Sequence, residues 1–305
     1  MIGRIRVEVN VIATTPTRET GVWRWAGGVI RLLRPLNLLI LLVGVGTGAL
    51  LAAEERTVAS VLGVDVILAA LSAMFVGGAA NSMNDYFDLE IDRINRPDRP
   101  LPSAIVSPGA ARIIWIAGSV IGVVLGFWLS LPHVALATGS VALLYLYNLY
   151  WKRTVLIGNV VVAFMTALAL VYGAWAVGKS GPVLAGATFA FLTTLAREII
   201  KDVEDEKGDA AAAARTVAVV WGARRATTLA AGVLAATILL TPVPYLLLDY
   251  GDSYLLAVIL ADAALLYAIW CLLRPDRTRY VSRASGSVKW AMVLGIIALA
   301  VATAV

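Results

Sequence analysis

The chain has 305 residues, 60% hydrophobic and 15% charged, with a formal net charge of +5 and one Cys and one His. A mean hydropathy of +0.84 is far above what a soluble domain of this length needs, so the expected class is all-α: a polytopic integral membrane protein. The lone Cys and lone His exclude a disulfide framework, a Cys/His zinc site and a His-centred triad. Any bound metal is then a hard cation held by oxygen, with Mg2+ first in line.

Residues 1 to 30 carry Arg4, Arg6, Arg18 and Arg24 without a signal-peptide pattern. They read as a soluble, partly disordered cytoplasmic extension, with Trp23 and Trp25 near the interface. From residue 31 to 305 the chain reads as one membrane domain. Apolar runs of about the ~20 residues that a bilayer requires lie at 36–53, 57–83, 110–130, 133–150, 154–177, 181–200, 227–248, 252–273 and 287–305. That makes nine transmembrane helices. The short junctions Leu131-Pro132-His133 and Gly178 to Gly181 predict antiparallel hairpins, and abundant Gly and Ala permit close helix packing in lipid.

Two of these runs end in acids. A helix continued through Asp92 places Asn84, Asp85, Asp88 and Asp92 within an arc of roughly 100°, with Glu90 opposite. Farther on, Asp202, Asp205 and Asp209 repeat the same D-x-x-D-x-x-x-D spacing within about 60°, and Glu198 shares their face. Carboxylates on one stripe repel each other unless cations sit among them. Arg93, Arg96 and Arg99 follow the first stripe, in a loop where Pro97, Pro100 and Pro102 forbid further helix.

Basic residues fix the expected orientation. With the N-terminus in the cytoplasm, every Lys and Arg except Arg56 and Lys179 falls on the cytoplasmic side. Both acid stripes then face the cytoplasm, and the high pI reflects topology rather than nucleic-acid binding. Acids at the interface, unlike acids at the midplane, can meet soluble phosphate groups. Mg2+ binds through one or two carboxylates and completes its shell from water and phosphate. Two facing stripes could therefore clamp a diphosphate through two or more Mg2+ ions. Lys152, Arg153, Arg96, Arg99 and Lys201 are placed to neutralise the remaining charge. A lipid diphosphate fits, with its head in the site and its tail among apolar helices.

The residues also resemble a family. Asn84-Asp85-x-x-Asp88-x-x-x-Asp92 with Arg96-Pro97-Asp98-Arg99-Pro100 resembles the first motif and cap loop of the UbiA intramembrane prenyltransferases. Arg197-Glu-Ile-Ile-Lys201-Asp202-Val-Glu-Asp205 through Asp209 resembles their second motif. Arg34-Pro35-x-Asn37 is similar to the opening of their first helix, and Tyr145-Leu-Tyr147 through Lys152-Arg153 to the segment closing their fourth. Lys207 and the alanines at 210–214 depart from the usual pattern.

The resemblance implies a nine-helix bundle with cytoplasmic cap loops. It also implies Mg2+ at Asn84, Asp88, Asp92, Asp205 and Asp209, and substrate contacts from Arg34, Asn37, Arg96, Arg99, Tyr145, Arg153 and Lys201. Lys152 would help ionise an isoprenyl diphosphate, and the Tyr147 ring would face the allylic cation. Asp85 and Asp202 would ligate metal, orient the acceptor or take its proton. The second motif most resembles the branch that prenylates geranylgeranylglyceryl phosphate in archaeal ether-lipid synthesis. An aromatic acceptor of quinone synthesis is the alternative, and a cation transporter with repeated acidic motifs is the rival from another class. Membrane lipids surround the protein, no nucleic acid is expected, and the sequence leaves monomer or homo-oligomer open.

Overall fold

A computed structural model of the chain describes residues 18–53, 58–178, 183–248 and 250–301. Among these residues the secondary structure is helical throughout, with no strand. The helices are α1 (Arg18–Leu33), α2 (Pro35–Ala52), α3 (Val58–Val61), α4 (Val64–Phe87), α5 (Leu89–Asn95), α6 (Pro108–Leu129), α7 (Leu131–Leu146) and α8 (Ile157–Ala176). They continue with α9 (Val183–Glu204), α10 (Glu206–Ala211), α11 (Val217–Trp221), α12 (Ala223–Leu240), α13 (Val243–Leu247), α14 (Asp252–Leu273) and α15 (Arg277–Val301). Nine spans among the described residues are long and apolar enough to cross a membrane, as expected. Arg56 and Lys179, the two basic residues expected outside, lie beyond the described residues, as does most of the Gly178–Gly181 junction.

Three boundaries differ from the hydropathy reading, each for a local reason. The second run does not start at 57: α3 is a separate turn, and Gly63 in extended conformation restarts the helix at Val64. The ninth helix starts at Arg277, ten residues before the apolar run, because polar residues that end hydropathy do not end hydrogen bonding. The N-terminal extension is helical from Arg18, and α1 runs through residue 30 to Leu33, so the expected boundary falls inside a helix. Leu32 is fully buried against Leu101, Val106 and Ala111, which ties α1 to the loop before α6. Residues 1–17 lie outside the described residues.

The bundle is apolar outward and small or hydroxylated inward. Phe127, Trp128, Leu131 and Leu239 are each about three-quarters exposed, while Thr47, Ser72, Thr193 and Thr194 are buried. That distribution suits lipid, which does not drive apolar groups inward. Close helix contact replaces the hydrophobic effect most clearly between α2 and α8. A Cβ on Gly48 would sit 1.9 Å from the Leu170 carbonyl oxygen, and one on Gly173 would sit 1.9 Å from that of Val45. The two glycines let the helices touch backbone to backbone and so fix one wall of the central cavity.

Candidate active site

The two acid motifs share a backbone feature that their spacing does not reveal. The helix breaks at the middle aspartate of each: Asp88 (φ −89°, ψ 0°) separates α4 from α5, and Asp205 (φ −94°, ψ 2°) separates α9 from α10. Hydrogen bonding nevertheless runs on, from Asp92 N–H to the Asp88 carbonyl and from Asp209 N–H to that of Asp205. Each break tilts one helical turn over the end of its span. Both turns close over one cavity of about 840 Å³, lined at its mouth by Asn84, Asp88, Asp92, Asp205 and Asp209. The five expected metal-side residues are thus brought together at one end of the bundle.

The first stripe is neutralised by cations from three other segments. The Arg34 guanidinium donates to Asp85 Oδ1 at 2.5 Å, and Arg99 donates to Asp92 Oδ2 at 2.6 Å while lying 3.6 Å from Asp85. The Lys152 ammonium bridges Asn84 Oδ1, at 2.6 Å, and Asp88 Oδ2. Arg153 approaches the other Asp88 oxygen at 3.9 Å. Asp85, Asp88 and Asp92 are all buried, so this pairing is what makes three ionised carboxylates tolerable there. Burial pushes the Lys152 ammonium below the usual lysine range, against the opposing pull of Asp88.

Backbone strain helps aim these groups. Among the described residues, the four non-glycine residues at positive φ are Arg34, Ala104, Leu156 and Ala213, each in a segment around the mouth. Arg34, at φ 54°, joins α1 to α2, and Pro35 fixes the first turn that follows. A π-helical turn, Tyr147–Trp151, closes when the Lys152 N–H donates to the Tyr147 carbonyl at 2.8 Å. An i→i+5 turn brings residues five apart towards one face, so Tyr147 and Lys152 both line the cavity.

The second stripe is built differently. Glu198 accepts from Arg197 at 3.1 Å and from Lys201 at 3.2 Å, and all three line the cavity. Asp205 and Asp209 form no ion pair among the described residues, and burial raises the Asp209 carboxyl above its ordinary range. Arg34, Asn37, Arg96, Arg99 and Arg153 also line the mouth.

Three expected residues do not reach the cavity. Tyr145 stacks instead on Trp115, ring centroids 5.8 Å apart, beside Phe87. Asp85 is only 4% exposed and is enclosed by Arg34 and Arg99. Asp202 accepts from Asn159 at 3.0 Å, across the α8–α9 contact. Asp85 and Asp202 occupy equivalent positions in the two motifs and do equivalent work: each pins its motif helix to a neighbour. Asn159 was not foreseen; its only signal is a lone amide opening an apolar run. Asp262, midway along α14 and also on the cavity wall, was missed as well, although an acid within LLAVILADAALLYAIW stands out in a hydropathy reading.

Among the described residues, no three acidic, His or Cys side chains converge into a ready-made cation cage. The mouth instead offers a few open carboxylate oxygens on two facing turns. That donor set suits a hard cation whose shell is completed by phosphate and water. Below the mouth the wall turns apolar through Leu41, Met165, Leu170 and Phe189.

Comparison with known proteins agrees with this geometry. A "Digeranylgeranylglyceryl phosphate synthase" of Methanothermobacter thermautotrophicus is 35% identical over 272 residues, 89% of this chain and 94% of the relative. The fold matches a solved structure described as "Structural and mechanistic insights into the biosynthesis of Digeranylgeranylglyceryl phosphate synthase in membranes". That match has TM-score 0.79 and 27% identity, and covers 92% of this chain and 98% of the other. A UbiA homologue from Archaeoglobus fulgidus, solved bound to GPP and Mg2+, shares the fold at TM-score 0.65 and 19% identity, over 89% of this chain and 99% of the other. The UbiA prenyltransferase family matches residues 39–293, which takes in both broken acid helices and the lysine between them. The chain belongs to that family and, with nine spans among its described residues, is a multi-pass membrane prenyltransferase.

Proposed function

We propose that this protein transfers a geranylgeranyl group from its diphosphate to the free hydroxyl of geranylgeranylglyceryl phosphate, releasing pyrophosphate on the cytoplasmic side. The observation that carries the reading is the cavity: its charged groups gather at the mouth, with Asp262 the exception on a largely apolar wall, and two equivalent acid turns close it. The acceptor follows the printed name of relatives such as the Methanothermobacter protein. The sidedness follows the distribution of Lys and Arg.

Asn84, Asp88 and Asp92 on one side, with Asp205 and Asp209 on the other, would hold Mg2+ together with the diphosphate oxygens. Bound there, the ion draws charge from the diphosphate and eases its departure. The Lys152 and Arg99 cations, which neutralise Asp88 and Asp92, would turn to the phosphates when these arrive. Arg96, Arg153 and Lys201 add positive charge around them. As the allylic C–O bond breaks, its electron pair leaves with pyrophosphate, and the cationic carbon faces the Tyr147 ring. The acceptor oxygen then bonds to that carbon, and its proton passes to the departing pyrophosphate. Asp85 and Asp202 serve as supports that hold the two motif helices in place. Tyr145 anchors the rim.

The test offers purified protein geranylgeranyl diphosphate with each of four acceptors: geranylgeranylglyceryl phosphate, 4-hydroxybenzoate, dihydroxynaphthoate and homogentisate. Prenylation of the glyceryl phosphate, abolished by chelator and restored by Mg2+, is the expected result. Prenylation of an aromatic acceptor instead would overturn the acceptor, and full transfer in excess EDTA would overturn the metal role.

A further inference from the structure

Helix α1 carries more apolar surface than the protein covers. At 3.6 residues per turn, Leu32, Val29, Val22, Ala26, Ile30 and Trp23 follow one another around about half of its circumference. Gly27, Arg31 and Arg24 lie on the opposite flank. One edge of the apolar arc is docked: Leu32 is fully buried against Leu101, Val106 and Ala111, and a Cβ on Gly28 would sit 2.5 Å from Ile105 Cγ2. The other edge is open. Trp23 is 77% exposed, Val22 63% and Ile30 56%.

The position of the helix says what covers that edge. A single residue, Arg34, separates α1 from α2, and the first turns of α2 expose Leu36 and Leu39 on the outside of the first span. The Leu33 carbonyl, at the end of α1, accepts from the Asn81 amide of α4 at 2.9 Å, which holds α1 at the level where that span begins. Tryptophan is enriched at this depth of a membrane. A helix with a wide apolar arc and arginines on its other flank lies in the interface plane, arginines towards the phosphates and water. Lipid is already present at this level, so the open edge requires no second protein to cover it.

The docked edge leads to the active site. Arg31 donates to the Asp98 carbonyl at 2.6 Å, and the neighbouring Arg99 pairs with Asp92. Arg34, which follows α1 directly, pairs with Asp85. Two of the cations at the mouth are thus held next to points where α1 is fastened.

We propose that α1 is an in-plane membrane anchor: its open apolar edge lies at the headgroup–acyl boundary of the protein's own membrane, and the lipid surface thereby braces the cap loop that carries Arg99. The inference stands on the shape and attachment of α1 and is independent of the prenyl acceptor.

The test uses the full-length protein in nanodiscs of phosphatidylcholine and phosphatidylglycerol. Nitroxide labels are placed one at a time at Val22→Cys, Ile30→Cys, Arg24→Cys and Gly27→Cys, the native Cys271 being buried. Collisions with lipid-soluble oxygen and with a water-soluble nickel chelate are then compared. The oxygen-to-nickel ratio should be several-fold higher at positions 22 and 30 than at 24 and 27. Four labels equally open to nickel would put α1 in water and overturn the anchor. Labels at 22 and 30 shielded from both reagents would put a protein there, and overturn it equally. The brace is read from a label at Asp98→Cys, which should become more mobile when Val22→Asp and Trp23→Asp are introduced together, since both side chains are exposed. Should that pair prevent folding, Val22→Ser with Trp23→Ser removes the same apolar surface and should loosen the label likewise. An Asp98→Cys label unmoved by either pair overturns the brace.

Discussion

Asp88 carries more contacts than any other acid at the mouth: Lys152 and Asn84 on one oxygen, Arg153 near the other. Its counterpart Asp205 sits at the same helix break without an ion pair among the described residues. The pair therefore tests the geometry from opposite starting states, one neutralised and one open. Asn in place of either keeps the size and removes a charge that should be needed for Mg2+. We expect Asp88→Asn and Asp205→Asn each to lower prenyl transfer by about 100- to 1,000-fold, the loss seen for one positioned electrostatic stabiliser. Glu90, whose side chain is 82% exposed and paired with Arg93, and the exposed Glu204 lie off the cavity. Glu90→Gln and Glu204→Gln should stay within a few-fold of the parent, all four proteins melting alike. Equal losses at all four positions would mean that the helix face does not define the site. The pattern was legible here because helical period alone separates Asp88 and Asp92 from Glu90. Period is silent on partners, so the Arg34–Asp85 and Asn159–Asp202 contacts, which withdraw two of the six motif aspartates from the cavity, could not be read from it.

Helices in this molecule were legible in number and less so at their ends. Hydropathy finds where lipid begins and ends, whereas α4, α9 and α15 carry their hydrogen bonding past that edge into polar sequence. The functional groups sit in those overhangs. The π-helical turn before Lys152 and the two breaks at Asp88 and Asp205 have no compositional signal, and these set the direction of the side chains. Packing between elements gives two expectations. Gly173→Ala places a methyl on the Val45 carbonyl, an obstacle that no rotamer change removes. Forcing α2 and α8 apart should cost about 3 kcal/mol, the upper end for overpacking, seen as a clear drop in melting temperature. A smaller drop than that of an exposed control, Gly139→Ala, with nothing near its added methyl, would disprove the close contact. Ala213 ends α10 in the left-handed conformation, at φ 52°, with the Ala214 N–H reaching back to the Asp209 carbonyl at 2.9 Å. This is the position where glycine normally closes a helix. Ala213→Gly should therefore stabilise the protein by about 1 kcal/mol, the cost of that conformation for an L-residue; a lower melting temperature would refute it.

At the scale of the whole molecule, orientation would decide, for the proposed reaction, which aqueous phase supplies Mg2+ and receives pyrophosphate. Both motif breaks and Lys152 open at one end of the bundle, so the site cannot be split between the two sides of the membrane. Which side that is follows from charge. The mouth end carries Arg93, Arg96, Arg99, Lys152, Arg153, Arg197 and Lys201, whereas among the described residues the opposite turns at Ser130 and Gly251 carry no Lys or Arg. By the positive-inside rule, such asymmetry predicts a cytoplasmic mouth. Single cysteines can report it, because the native Cys271 is buried and silent to a membrane-impermeant thiol reagent. Asp98 in the cap loop and Asp276 between α14 and α15 are exposed at the mouth end, and Asp252 is exposed at the other. In intact cells Asp252→Cys should react, while Asp98→Cys and Asp276→Cys should react only after the membrane is opened. Asp98 offers its backbone carbonyl, not its side chain, to Arg31 of α1, so its replacement leaves that tie in place. The reverse labelling pattern would invert the protein and place diphosphate chemistry outside the cell. Labelling of Asp98→Cys and Asp276→Cys from different sides would break the nine-span topology itself, since the two positions are separated by six spans, an even number, and must share a face.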